Sequence, residues 1–202
     1  MKRLSCRHVR RVAANIRTMS YLEQQFLIAM PGLEDPNFSR GVTLLCQHND
    51  EGALGITINR PSELTLSELL SQVGLNCQEQ SLADLRVFDG GPVHRERGFV
   101  LHSPDKQYET SMSVGPDILI TTSKDVLESI AAGDGPERFL VALGYAGWGA
   151  GQLEEEMRDN AWLNVMADAE LLFDLPVEQR WASAVARLGI DAGRLQPLGG
   201  HA

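Results

Sequence analysis

A cysteine and a histidine stand two residues apart, at Cys46 and His48. On a regular strand that spacing puts both side chains on one face, because successive side chains alternate sides. A thiol beside an imidazole is the start of two chemistries: a nucleophile activated by a base, or part of a zinc site. The local sequence completes neither. A nucleophile pair needs a third group to orient the base, and no GxSxG elbow occurs. Asp50, Glu51, Asp89, His94, Glu96 and His102 could add ligands, but HExxH, CxxC and His-x3-5-His spacings are absent. The expectation is therefore no metal and no cofactor, with catalytic residues unassigned.

The second chemical candidate is Gly144-Tyr145-Ala146-Gly147-Trp148-Gly149-Ala150-Gly151, opening onto Gln152-Leu153-Glu154-Glu155-Glu156. A strand that ends in a glycine-rich turn before a helix can cradle an anion, because free N–H groups converge there. The spacing matches neither GxGxxG nor GxxxxGK[ST]. Glutamates in the first helical turns would repel a phosphate, and the helix dipole alone explains them. The stretch reads either as a structural corner or as a site, and Trp148 is the residue that points to a site. Asp89-Gly90-Gly91-Pro92 is a turn by composition. Glu154, Glu155 or Asp89 could supply carboxylates for acid–base work, although nothing in the sequence brings them together. If these segments line one cleft, its ligand-binding residues are Cys46, His48, Asn49, Gly91, Trp148, Gln152 and Glu155.

The elements that would position them follow from period and punctuation. Phe26 to Met30 is a short apolar run stopped by Pro31-Gly32. Val42–His48 and Ala53–Asn59 flank a turn-rich segment ending in Gly52, the pattern of a hairpin. In its second arm Ile56 and Ile58 alternate with Thr57 and Asn59, as in a half-buried strand that Pro61 ends. Thr65-Leu66-Ser67-Glu68 is a capping box, and Leu66, Leu69, Leu70 and Val73 then share one helical face up to Gly74. Strands are expected at Arg86–Asp89, Gly98–His102 and Ile118–Thr121, and a helix from Lys124 to Ala132. Phe139 to Ala146 is apolar throughout, the pattern of a strand covered on both faces. Trp181, Val185 and Leu188 mark a last helix after Pro176. Strands cluster and helices come singly. That pattern favours α+β: a mostly antiparallel curved sheet or partial barrel with a few helices, in a single domain.

Bulk properties narrow the function classes. The 202 residues suit one domain, with 43 % hydrophobic and 22 % charged residues, and no apolar run reaches membrane-spanning length. Cys6, Cys46 and Cys77 are too few and too scattered for a disulfide framework, which fits the reducing cytoplasm. Residues 1–18 carry six bases and no acid, leaving 12 of the 18 bases against all 27 acids, a net charge of −15. So acidic a body repels phosphate backbones, and direct DNA binding by it is not expected. The basic head reads best as an extension upstream of a start at Met19. A targeting peptide and a nucleic-acid or membrane arm are the alternatives. The domain is then 19–188, followed by a loose tail, 189–202, rich in Gly and Pro.

Three segments, in order and spacing, resemble the YqgE/AlgH family of bacterial proteins. They are Phe26 to Leu33 running into Leu45 to Pro61; Asp89 to Val93 with Arg97 to His102; and Gly144 to Gly149 with Gln152 to Glu156 and Asn160 to Leu163. The resemblance covers about residues 20–188. It implies a curved-sheet α+β fold and a bacterial cytosolic protein. It also implies a regulator of transcription linked to alginate production, with no catalytic residue to carry over. Family members normally begin near Met19. The expected function is regulation through an unidentified protein or small-molecule partner, without a membrane. The alternative is a small-molecule-binding protein or hydrolase-like enzyme using the cleft near Cys46, His48 and the Gly144–Gly151 turn. A DNA-binding regulator requires a functional basic head. Clustering of the seven candidates in one concave patch would favour the alternative, and dispersal the regulator.

Overall fold

Apolar runs too short for helices pair into one curled sheet, seen in a computed structural model that describes residues 22–33 and 35–195. Ten strands contribute: β1 (Gln25–Ala29), β2 (Val42–Asn49), β3 (Gly52–Thr57), β4 (Pro61–Thr65), β5 (Arg86–Asp89), β6 (Val93–His102), β7 (Met112–Gly115), β8 (Ile118–Thr121), β9 (Phe139–Gly149) and β10 (Trp162–Met166). Their order is β10-β1-β2-β3-β9-β6-β8-β7, with β5 parallel to β9 and β4 on β5. Every other pairing is antiparallel. The helices are α1 (Leu66–Gln72), α2 (Gln80–Ala83), α3 (Lys124–Ala131), α4 (Gln152–Arg158) and α5 (Val177–Arg187). This is a single-domain α+β fold whose sheet forms a half-barrel.

The curl has a local cause in β9. Its first half lies between β5 and β6, whereas Ala146 to Gly149 pair with β3. The change of neighbour falls at Gly144, at φ +72°, where a side chain would run into the Gly91 carbonyl. Alternation then feeds three cores. Phe26 and Ile28 of β1 and Leu140 and Ala142 of β9 enter the first core, under Trp181, Ala184 and Val185 of α5. Val87, Val100 and Val141 face the second, with Leu66, Leu69 and Leu70 of α1 and Val126 and Ile130 of α3. Leu27, Leu45, Ala146 and Trp148 face the third, with Leu153 of α4 and Trp162 of β10.

The capping box forms as the sequence predicts: Thr65 Oγ1 accepts from Glu68 N–H at 3.3 Å, and Glu68 Oε2 accepts from Thr65 N–H at 2.8 Å. Other expectations need correction. The glycine-rich stretch is strand as far as Gly149, so the turn into α4 is Ala150-Gly151 alone. Thr57 is buried, facing Thr43 Oγ1 at 3.1 Å, so the arm holding Ile56 is covered on both sides. Val73, assigned to the buried face of α1, is exposed at the helix end. β3 stops at Thr57, and Pro61, expected to end it, instead begins β4, where an edge position needs no N–H from it. The tail from residue 189 starts packed: Ile190, Ala192 and Leu195 lie on the first core. Residues 1–21 and 196–202 lie outside the described residues, so the basic head is not among the elements placed here. No helix among the described residues is long and apolar enough to cross a membrane.

Candidate functional site

Cys46 and His48 do not share a face. Leu45 pairs with Gly55 and Gln47 with Leu54, so β2 carries one extra residue at Cys46. This β-bulge reverses the alternation beyond it. Cys46 follows Leu44 into the first core, and its Sγ donates to the Leu44 carbonyl at 3.5 Å. Burial pushes the thiol up to about 12, so it stays protonated. His48 turns the other way, to α4, and is 4 % exposed. Its Nδ1 accepts from Leu22 N–H at 2.9 Å, which places the proton on Nε2, donating to Glu154 Oε1 at 2.9 Å. Glu154's own N–H, and then His48, hold that carboxyl below its ordinary value. An imidazole held at both nitrogens, with its thiol neighbour on the opposite face, is not a nucleophile–base pair.

Trp148 is 6 % exposed and belongs to the third core. Its Nε1–H donates to Glu156 Oε2 at 2.9 Å, and Trp162 Nε1–H donates to the same oxygen at 2.8 Å. Gln152 Nε2 donates to Glu156 Oε1 at 2.9 Å, and its own Oε1 accepts from Gly149 N–H at 3.0 Å. The carboxylate that matters on α4 is therefore Glu156, which the sequence reading passed over for Glu155. Glu155 is exposed. The available signal was the i, i+4 spacing of Gln152 and Glu156, which puts them on one helical face.

Asn49 and Trp148 border an open cleft of about 300 Å³, with Gln47, Glu51, Val93 and Tyr145. Gly91 lies apart, beside Arg60 and Asp89 at a smaller hollow of about 150 Å³. At φ +150° its backbone presses on β9, and a side chain there would collide with the Tyr145 carbonyl carbon and Ala146 nitrogen. Of the seven candidates, Asn49 and Trp148 border the larger cleft together, and Gly91 lines the smaller hollow. Cys46 is half-buried against the first core, His48 is bound to Glu154, Gln152 to Glu156, and Glu155 faces solvent.

Sequence reading also overlooked Ser103-Pro104-Asp105-Lys106, which has serine–lysine nucleophile spacing. The structure separates the pair. Ser103 Oγ donates to Asp105 Oδ1, and Lys106 Nζ is tied to the carbonyl and carboxylate of Asp134. Among the described residues, no group of three or more His, Cys, Asp and Glu side chains could hold a metal ion.

Comparison with known proteins agrees with this architecture. Residues 26–193 match a family model described as AlgH-like. A UPF0301 protein of Xanthomonas campestris pv. campestris is 52 % identical over 181 residues, 90 % of this chain and 96 % of the relative. One from Thioalkalivibrio sulfidiphilus is 53 % identical over 183 residues, 91 % and 98 % of the two chains. The solution structure of the AlgH protein from Pseudomonas aeruginosa is 46 % identical, with a TM-score of 0.74 and 100 % of both chains covered. A Corynebacterium diphtheriae protein shares the fold at 16 % identity, with a TM-score of 0.65 over 88 % of each chain.

Proposed function

The chain belongs to the AlgH-like family, and on that footing we propose that it is a cytoplasmic regulatory protein that works by binding a protein partner. Neither catalysis nor direct contact of its body with DNA is part of this role. The observation that carries the reading is the dispersal of the chemistry-bearing residues. His48 and Glu156 are engaged within the fold, and Cys46 is half-buried against the first core, its thiol bonded to the Leu44 carbonyl. What the cleft offers to the outside is Gln47, Asn49, Glu51 and Tyr145 around a shallow depression. Such a surface suits an anchoring side chain of another protein. The net charge of −15 beyond residue 18 argues against a phosphate backbone as the partner. Cys46 and Cys77, both free thiols, fit a reducing compartment. A role in regulating transcription, and alginate production in particular, is then indirect.

The test is affinity capture from the native bacterium with the full chain and with Glu51→Arg, an exposed charge reversal at the cleft rim. A protein held by the wild type and lost by the variant is the expected result. Identical capture by both, or salt-sensitive retention of DNA by a chain lacking residues 1–18, would overturn the reading.

A further inference from the structure

A buried, unpaired cation lies away from this cleft. Arg180 of α5 is 5 % exposed, yet among the described residues no carboxylate forms an ion pair with it. A buried cation without a counter-charge is unfavourable, and proteins retain such groups mainly for function or for a specific geometry. The guanidinium is held in place from behind. Nε donates to the Leu175 carbonyl at 3.2 Å, Nη1 donates to the Ile58 carbonyl, and the group lies 5.4 Å from the Phe88 ring. Of the five N–H donors of an arginine, two are used and three are left over, one on Nη1 and both on Nη2. Burial drives its pKa down to about 10, and Glu178, on the same helix but exposed, offsets this only in part.

Arg180 lines a cavity of about 560 Å³, a volume within the range of small-molecule sites. The walls are apolar: Phe88 of β5, Phe139 of β9, Leu172 and Phe173 of a π-helical turn (Glu170–Asp174), and Val177 of α5. Single π-helical turns occur frequently at functional sites. Asp84, Arg86 and Glu178 also border the cavity, and all three are exposed, so its buried charge comes from Arg180.

We propose that this cavity binds a monocarboxylate with an apolar aliphatic or aromatic body, the body lying against Phe88, Phe139 and Phe173 and the carboxylate accepting from the free N–H groups of Arg180. The planar guanidinium matches a carboxylate in geometry as well as charge. An apolar body would replace water along the three aromatic rings. The site is independent of the cleft assigned to a protein partner, and either assignment can fail alone.

Calorimetric titration of the full chain with octanoate, 4-phenylbutyrate and 1-octanol tests it. At least one carboxylate should bind about tenfold or more tightly than the alcohol, the discrimination a charge-assisted hydrogen bond gives. That preference should vanish in Arg180→Met. Because Arg180 also anchors two backbone carbonyls, a second variant guards against misfolding: Val177→Trp fills the cavity and leaves Arg180 in place. It should abolish carboxylate binding while circular dichroism stays native. Comparing the two acids separates an aliphatic from an aromatic body. Octanol binding as well as the acids, no binding of either acid at millimolar concentration, or undiminished binding by Val177→Trp would overturn the proposal.

Discussion

Removing the Glu156 carboxylate should destabilise the protein by leaving two buried indole donors without their acceptor. The side chain accepts from the indole N–H groups of Trp148 and Trp162, at 2.9 and 2.8 Å, and these residues are 6 % and 3 % exposed. Glu156→Ala leaves both donors without their acceptor. An orphaned buried donor costs about 1–3 kcal/mol. Glu156 itself is partly exposed, so water can reach one side of the gap and the lower part of that range applies. The expected loss is about 2–3 kcal/mol, or roughly 4–12 °C in Tm for a chain of this size. Glu156→Gln keeps an oxygen for the indoles but turns an NH2 toward the Gln152 NH2. Gln152 cannot reverse without breaking its bond to Gly149 N–H. That variant should lose about 1 kcal/mol. Urea unfolding followed by far-ultraviolet circular dichroism measures both, and it avoids tryptophan emission, which the change itself alters. A double-mutant cycle with Trp148→Phe should return a coupling of about 1 kcal/mol. Stability of Glu156→Ala within about 0.5 kcal/mol of wild type would refute the reasoning, because water would then serve the indoles as well as the carboxylate does.

Gly91→Ala should cost more than about 4 kcal/mol, since its Cβ would meet backbone atoms of β9 at a positive φ; a wild-type thermal transition would refute this. His102 is fully buried, its Nδ1–H donating to the Ser103 carbonyl and its Nε2 accepting from Thr121 Oγ1, and burial holds its pKa below the ordinary value. The unfolded chain therefore takes up the proton first, and stability is complete above about pH 6.5 and falls as the pH drops below it. His102→Gln should flatten urea stability between about pH 7 and 5, and an unchanged slope would remove His102 as the cause. At pH 8 a Cys46 thiol with a pKa of about 12 is ionised in only about one molecule in ten thousand. It should stay unlabelled by Ellman's reagent in the folded chain, and labelling as fast as in urea would show that the thiol is accessible.

Legibility in the sequence tracked the range of the interaction. The capping box of α1 and the apolar face formed by Leu66, Leu69 and Leu70 are set by residues three or four apart, so they could be read directly. The β2–β3 hairpin and the doubly covered β9 follow from alternation and from apolar runs bounded by turn residues. The three family segments likewise identified the fold. Strands β4, β7 and β10 gave weaker signals: they are four or five residues long and only partly buried, and their backbone groups become strand only by pairing with β5, β8 and β1.

The arrangement of the candidate residues was hidden for a different reason. Cys46 and His48 share a face only if β2 is regular, and a bulge is a mismatch between two strands that neither strand announces alone. Trp148 among glycines looks exposed until Trp162, Phe38 and Glu156 close over it. Arg180 looks like any helical arginine, because its burial is decided by Ile58 and Phe88, about a hundred residues away in the chain. The sequence by itself determined the elements with strong local pattern, the acidic body and the family, all of which rest on local pattern and composition. Only the tertiary structure decided which faces meet, because strand register and burial belong to pairs of distant segments.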